Sequence, residues 1–384
     1  MTSAEQTDGL ASSETDGAKL TAMVGVQLEF LTRTDEPGHD VTRSDILLTC
    51  ISIVLRIVSI SLTLFLAYEY YRDERINYFA LTLGGLIVPA IITSLLSLLM
   101  YVDDTKRGGA SLNPAATPSC AYLCFRFSAK RRQDWTGQKR TYELLVQEDS
   151  DVALLRIFEC LLEVTLQKIL QLTIVLSTGP VSLLQMLSII SAMGSIAWCM
   201  ASHYRCVRFA RLDKRHIPWS GTIVHIAWQF TVTVARVLAI ATVASVFPYY
   251  TALACAVHAM LMALWVFFYE RPSFCGDSFI QRAFLSFAFG AVFIFNYIPL
   301  REGATRLRYS LFYTVCFGET VACATLYALF VRNPTIRGSP MWLAVLSCFP
   351  VVMFVLGIAL MIVFYRSCHP NITSRQQDDP SVDI

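Results

Sequence analysis

Glu159, Glu163, Gln167 and Gln171 recur every four positions in the segment LLRIFECLLEVTLQKILQL. On an α-helix each step of four turns 400°, so these side chains form one stripe that drifts about 40° per step and runs roughly 18 Å along the axis. The residues between them are mostly apolar, and Lys168 is the main exception. A charged side chain at the centre of a bilayer costs at least about 2.5 kcal/mol on insertion scales, so two glutamates and a lysine in one span need partners or water. Arg236 and Glu319, each deep in an apolar run, are the expected charge partners, and Arg56 is a further one. Such a stripe serves one of two ends. It lines a polar path through hydrocarbon, or it ties helices together by an internal network of ion pairs and hydrogen bonds.

Bond-making chemistry finds little support. The six histidines form no HExxH, and neither GxSxG nor the phosphate-cradling GxxxxGK[ST] occurs. Twelve cysteines are scattered without a CxxC pair or metal-ligand spacing, which reads as packing. No catalytic constellation and no cofactor are expected, and no nucleic-acid partner.

The elements that carry the stripe must lie in lipid. A chain with 55% hydrophobic and 16% charged residues and a mean hydropathy of +0.51 is too apolar for an ordinary soluble domain. Apolar runs cover 46–68, 78–102, 152–176, 181–201, 222–247, 250–269, 279–300, 307–330 and 341–365. Most reach the roughly 20 residues that cross a ~30 Å hydrocarbon core as a helix, the structure that satisfies its own backbone hydrogen bonds there. Residues 1–44 are polar, rich in Ser, Thr, Asp and Glu, and hold no signal-peptide run, so this tail is expected to stay in the cytosol.

Loop charges set the topology. Residues 103–151 carry eight Lys and Arg from Lys106 to Arg140, and the loop before the fifth run carries Arg205, Arg208, Arg211, Lys214 and Arg215. Both are expected in the cytosol. The connections at 177–180 and 248–249 carry no charge and fit the outside. Alternation fails at the seventh run, because a full crossing there would put Arg301, Arg306 and Arg308 outside. The run 279–300, interrupted by Arg282 and Asn296, is therefore expected to enter and leave on the cytosolic side.

With that re-entrant run the chain divides into two similar halves, as in transport folds built from internal repeats. The expected architecture is all-α and polytopic: about eight transmembrane helices plus two partial helices, the first of them at 120–127. The repeats span 45–218 and 219–365, followed by a cytosolic tail at 366–384. Both termini are expected in the cytosol, which would leave the sequon Asn371-Ile-Thr373 unused.

Four stretches resemble the XK-related family: the helix from Arg156 to Leu172, the segment FNYIPLREGATRLRYSLFYTVCFGET (295–320), LAYEYY (66–71) leading into YFALTL and Pro89, and Arg236-Val-Leu-Ala after Trp228. The similarity extends over about 45–330. It implies two pseudo-symmetric repeats and phospholipid scrambling at the plasma membrane, in which lipids, phosphatidylserine among them, pass between leaflets without ATP. Glu159, Glu163, Gln167 and Gln171 would then be the lipid path. Where many members carry two first-span aspartates, this chain has Ser59 and Thr63, so the path would begin with hydroxyls. Family members that act in apoptosis lose a terminal segment to a caspase, and Asp8 before Gly9 and Asp16 before Gly17 are the matching positions here. The resemblance also suggests a single-span chaperone subunit or a homo-oligomer as partner. A non-scrambling scaffold that stabilises a membrane partner, and a membrane transporter, remain the alternative readings.

Overall fold

The computed structural model describes residues 57, 60–61, 63–65, 67–68, 70–72, 74–106, 150–178, 183–209, 219–270, 278–300, 305–331 and 338–368. Arg56, Ser59, Asp8, Asp16 and the expected partial helix at 120–127 lie outside them. All regular structure among the described residues is helical. The helices are α1 (Ile76–Lys106), α2 (Ser150–Ser177), α3 (Leu183–Phe209), α4 (Trp219–Ala244), α5 (Pro248–Glu270), α6 (Phe279–Val292), α7 (Thr305–Phe330) and α8 (Pro340–Ser367). Six of them, all but α3 and α6, are long and apolar enough to cross a membrane. The protein is a multi-pass membrane protein.

Helix α4 is the centre. It packs against α2, α3, α5, α7 and α8, and 67% of its most apolar stretch is buried, against 22% for α1 and for α8. Its sequence explains this, because Thr231, Thr233, Ala235, Ala239, Ala241 and Thr242 are small enough to let neighbouring backbones approach. The threonine hydroxyls cost little there, since they donate within the helix: Thr233 Oγ1 to Gln229 O at 2.7 Å and Thr242 Oγ1 to Ala239 O at 2.9 Å. Gly357 of α8 meets this surface. A Cβ at that position would stand 2.6 Å from Val232 Cγ2 and 2.9 Å from Thr231 Oγ1. In the N-terminal half of α4, Trp228 is surrounded by Tyr309, Tyr313, Phe364 and Tyr365.

The outward faces are apolar. Met341, Trp342, Val345, Phe349 and Val352 of α8 are exposed, as are Leu253, Val257 and Leu261 of α5. Contiguous exposed apolar surface of this kind belongs against lipid. Phe247, Tyr250 and Phe330 cluster where α4 turns into α5, and Pro248 starts α5 with the fixed φ suited to a first helical position.

Helix α6 stops early. Its 14 residues span about 21 Å, too short for the ~30 Å hydrocarbon core. The chain then turns through Phe293–Phe295 and runs non-helically to Leu300. Non-helical backbone at membrane depth survives only where it is buried in protein. Asn296 and Phe293 are fully buried, and Gly290 lets α6 press onto α5, where a Cβ would fall against the Ala259 carbonyl and 2.8 Å from Ala263 N.

Candidate intramembrane site

Two polar regions lie within the helices. The first is the stripe on α2. It does not keep the register of an ideal helix, because Cys160–Val164 forms a π turn. The Thr165 N–H bonds back to Cys160 O, five residues away, and its hydroxyl donates to the same oxygen at 3.3 Å. The wider turn fits an extra residue and rotates everything beyond it relative to a continuous α-helix. Glu163 sits inside this turn and is buried, while Glu159, Gln167 and Gln171 are half-buried and Leu166 is exposed. Lys168 is buried as well, and its Nζ donates to Gln171 Oε1 one turn along at 3.1 Å. Thr63 is buried.

The second region joins α4, α5, α7 and the end of α6. Arg236 of α4 donates from Nε and Nη2 to Ile294 O at 3.0 and 2.9 Å, from Nη1 to Cys316 O at 3.3 Å, and from Nη2 to Glu319 Oε2 at 2.8 Å. Arg236 and Glu319 thus pair with each other. His258 of α5 completes the group, with Nδ1 2.6 Å from Glu319 Oε1 and Nε2 3.2 Å from Phe293 O. The carbonyls of Phe293 and Ile294 are free to accept because α6 has ended there. An arginine fork facing two carbonyls and a carboxylate is the strong, directional arrangement expected for a buried guanidinium.

Sequence reasoning missed His258, although a signal was present. Arg236 and His258 are each eleven residues from Phe247, at the turn between two antiparallel helices. Equal distances along a hairpin mean equal depth, here about 16 Å from the turn.

These groups form the floor of a groove of about 460 Å³ between α5 and α7, backed by α4. Its walls are Ile240, Val243, Ala254, Ala322 and Leu326, and Phe247 and Tyr250 stand at its far end. Arg236 and His258 are covered, with side chains 4% and 5% exposed, whereas the Glu319 side chain is 37% exposed and reaches into the groove. His258, Cys316 and Glu319 offer one ligand atom each within 4.8 Å of one another. Arg236 already occupies the carboxylate, so a metal cation would meet a guanidinium without a second anion. The group is an ion-pair node.

A polar layer behind the node holds the non-helical segment. The Asn296 side-chain amide donates to Gln229 Oε1, and Asn296 Oδ1 accepts from the Tyr297 N–H at 3.0 Å and from Tyr313 OH at 3.4 Å. Further along, the Tyr297 hydroxyl donates to Glu270 Oε1, the Leu300 N–H reaches Glu270 Oε2 at 3.3 Å, and Arg308 Nη1 lies 3.7 Å from the same oxygen. Glu270 is fully buried at the π-helical end of α5.

The fold and these sites define a polytopic helical membrane protein with an arginine, a histidine and a glutamate joined between its apolar helices and a short helix packed against α5. The profile of the family described as XK-related protein matches residues 47–370, and the chain belongs to the XK-related family. Its relatives include XK-related protein 8 of Gasterosteus aculeatus, 24% identical over 335 residues covering 83% of this chain and 82% of that protein. XK-related protein 8 of Tetraodon nigroviridis is 23% identical, covering 82% and 81%.

Proposed function

We propose that this chain is a phospholipid scramblase, a passive carrier of lipids, phosphatidylserine included, between leaflets of the plasma membrane. The observation that carries the reading is the α4–α5–α7 groove, whose apolar walls lead down to the Arg236–Glu319 ion pair in a chain of the XK-related family. A lipid flips slowly because its headgroup must cross hydrocarbon. Polar groups along the way replace part of the lost hydration, while the tails stay against apolar surface. On α2, Glu159, Gln167 and Gln171 keep partial exposure and fit the same task, and Glu163 supports them from within the π turn. No bond is broken, so the activity is not enzymatic and uses no cofactor.

In this reading the basic loops and both termini face the cytosol, the chain makes eight crossings with two partial helices, and the halves 45–218 and 219–365 are repeats. The tails at 1–44 and 366–384 flank them, and cleavage after Asp8 or Asp16 is a candidate trigger. A homo-oligomer or a single-span subunit would accompany it.

The test is lipid exchange by the purified chain in phosphatidylcholine vesicles containing labelled phosphatidylserine, with and without residues 1–16. Exchange by both forms means a constitutive scramblase, and exchange only after truncation means the tail restrains it. Replacing Glu159 and Glu163 together with Leu is expected to slow exchange by about tenfold or more in protein that still folds, the loss of roughly one charge-assisted contact. Unchanged exchange in that variant removes α2 from the path. Absence of exchange in every form, with the protein folded in the vesicles, leaves the scaffold reading.

A further inference from the structure

The fold treats Arg236 and Arg282 differently. Arg236 donates four side-chain hydrogen bonds. Arg282, near the start of α6, donates none from its side chain among the described residues: its guanidinium lies over the Phe267 ring, 4.5 Å from the ring centre, and its Nε is covered without a partner. Two neighbours are in the same condition. Gln281 Oε1 and, one turn beyond Arg282 on the same face, Ser286 Oγ are covered and unpartnered. Among the described residues no carboxylate pairs with this arginine either. Glu270, three residues on from Phe267, is taken by Tyr297, the Leu300 N–H and Arg308, and the first turn of α6 holds no acid. Polar atoms shut away from water without a partner are costly, so three of them within two turns call for a ligand.

The position in the fold indicates what kind of ligand. Phe267 lies about 29 Å along α5 from Pro248, at 1.5 Å per residue. A span that starts at the Pro248 turn therefore reaches headgroup level near Phe267, because the hydrocarbon core is about 30 Å thick. The surface around it suits acyl chains: Phe268, Phe279 and Ile280 are exposed, and Phe267 packs edge-on against both Phe268 and Phe279. We propose that Arg282 binds the phosphate of a single membrane phospholipid at the start of α6, with the lipid's chains against Phe279 and Ile280.

The charges match. A phosphodiester is an anion with two free oxygens, which a guanidinium fork meets in a bidentate pair. Stacking on Phe267 holds the guanidinium in place before the lipid arrives. Ser286 has a hydroxyl hydrogen to donate, and the Gln281 amide offers an acceptor for the rest of the headgroup. The site lies apart from the α4–α5–α7 groove, none of whose lining residues belongs to it, and it does not rest on the scramblase reading.

The experiment offers the full chain, purified in detergent, phosphatidylglycerol and a digalactosyl diacylglycerol with the same acyl chains, and counts the retained lipids by native mass spectrometry. The wild type is expected to favour the phospholipid by about tenfold or more, the size of one charge-assisted contact. Arg282→Gln should lower that ratio about tenfold, and Arg282→Lys, a point charge without the fork, should keep part of it. A wild type without preference overturns the proposal, and so does an unchanged ratio in folded Arg282→Gln. Where Arg282→Gln yields no folded protein, Arg282→Lys decides, because a ratio equal to that of the wild type shows that the fork is not used. Millimolar inorganic phosphate separates the two sources of the anion. A lipid site keeps its preference in that buffer, whereas loss of the preference means a site for the free ion and overturns the assignment to lipid.

Discussion

The α2 stripe and the α4–α5–α7 node both place polar side chains among apolar helices, and the hydrogen bonds of Lys168 to Gln171 and of Arg236 to its partners differ in range. On α2, Lys168 finds Gln171 three residues along the same helix. In the node, Arg236 reaches partners 58, 80 and 83 residues away, on two other elements. A local bond holds only its own helix, whereas bonds across helices hold the bundle and make each partner's loss everyone's loss. The comparison teaches that an intramembrane charge is informative about architecture only once its partner's element is known.

Removing members of each region puts this difference to measurement. Arg236→Leu should have the largest effect, because it leaves Glu319 without its cation and the Ile294 carbonyl without its two guanidinium N–H donors. A loss of roughly 3–5 kcal/mol is expected, read as reduced folded yield and a lower melting temperature in detergent. A smaller effect would mean that lipid or water supplies those bonds. Next comes Asn296→Leu, which strands Gln229 and the Tyr297 N–H and should cost about 1–3 kcal/mol in the same assay. Gly290→Ala should fall in a similar range, about 1–3 kcal/mol, because its Cβ meets the α5 backbone rather than a flexible side chain. Smallest is Lys168→Met, which keeps the length and apolar stem and removes a charge together with the hydrogen bond to Gln171. It should cost under about 1.5 kcal/mol, and a loss as large as that of Arg236→Leu would show that Lys168 too holds distant elements.

Much of the membrane architecture was legible beforehand, because hydropathy acts locally and each span announces itself by its own residues. The runs at 78–102, 222–247, 250–269, 307–330 and 341–365 correspond closely to helices. Other features were hidden by the same locality. The spacing of Glu159 and Glu163 presumes 3.6 residues per turn, and nothing in the composition of Cys160–Val164 announces the π turn that carries Glu163 into the core. His258 looked like one histidine in an apolar run, since its meaning depends on α6 ending at Val292 and freeing the carbonyl of Phe293.

By itself, then, the sequence determined that the chain lives in lipid, which stretches are helical, that Arg236 and Glu319 must be compensated, and which family's motifs it carries. Only the tertiary structure decided that these two compensate each other, that His258 joins them, and that the floor so formed lies under an apolar groove. The physical reason is range. Hydrophobicity and helical periodicity are properties of neighbouring residues, whereas a hydrogen bond between α4, α5 and α7 exists only after packing has brought distant residues to the same depth.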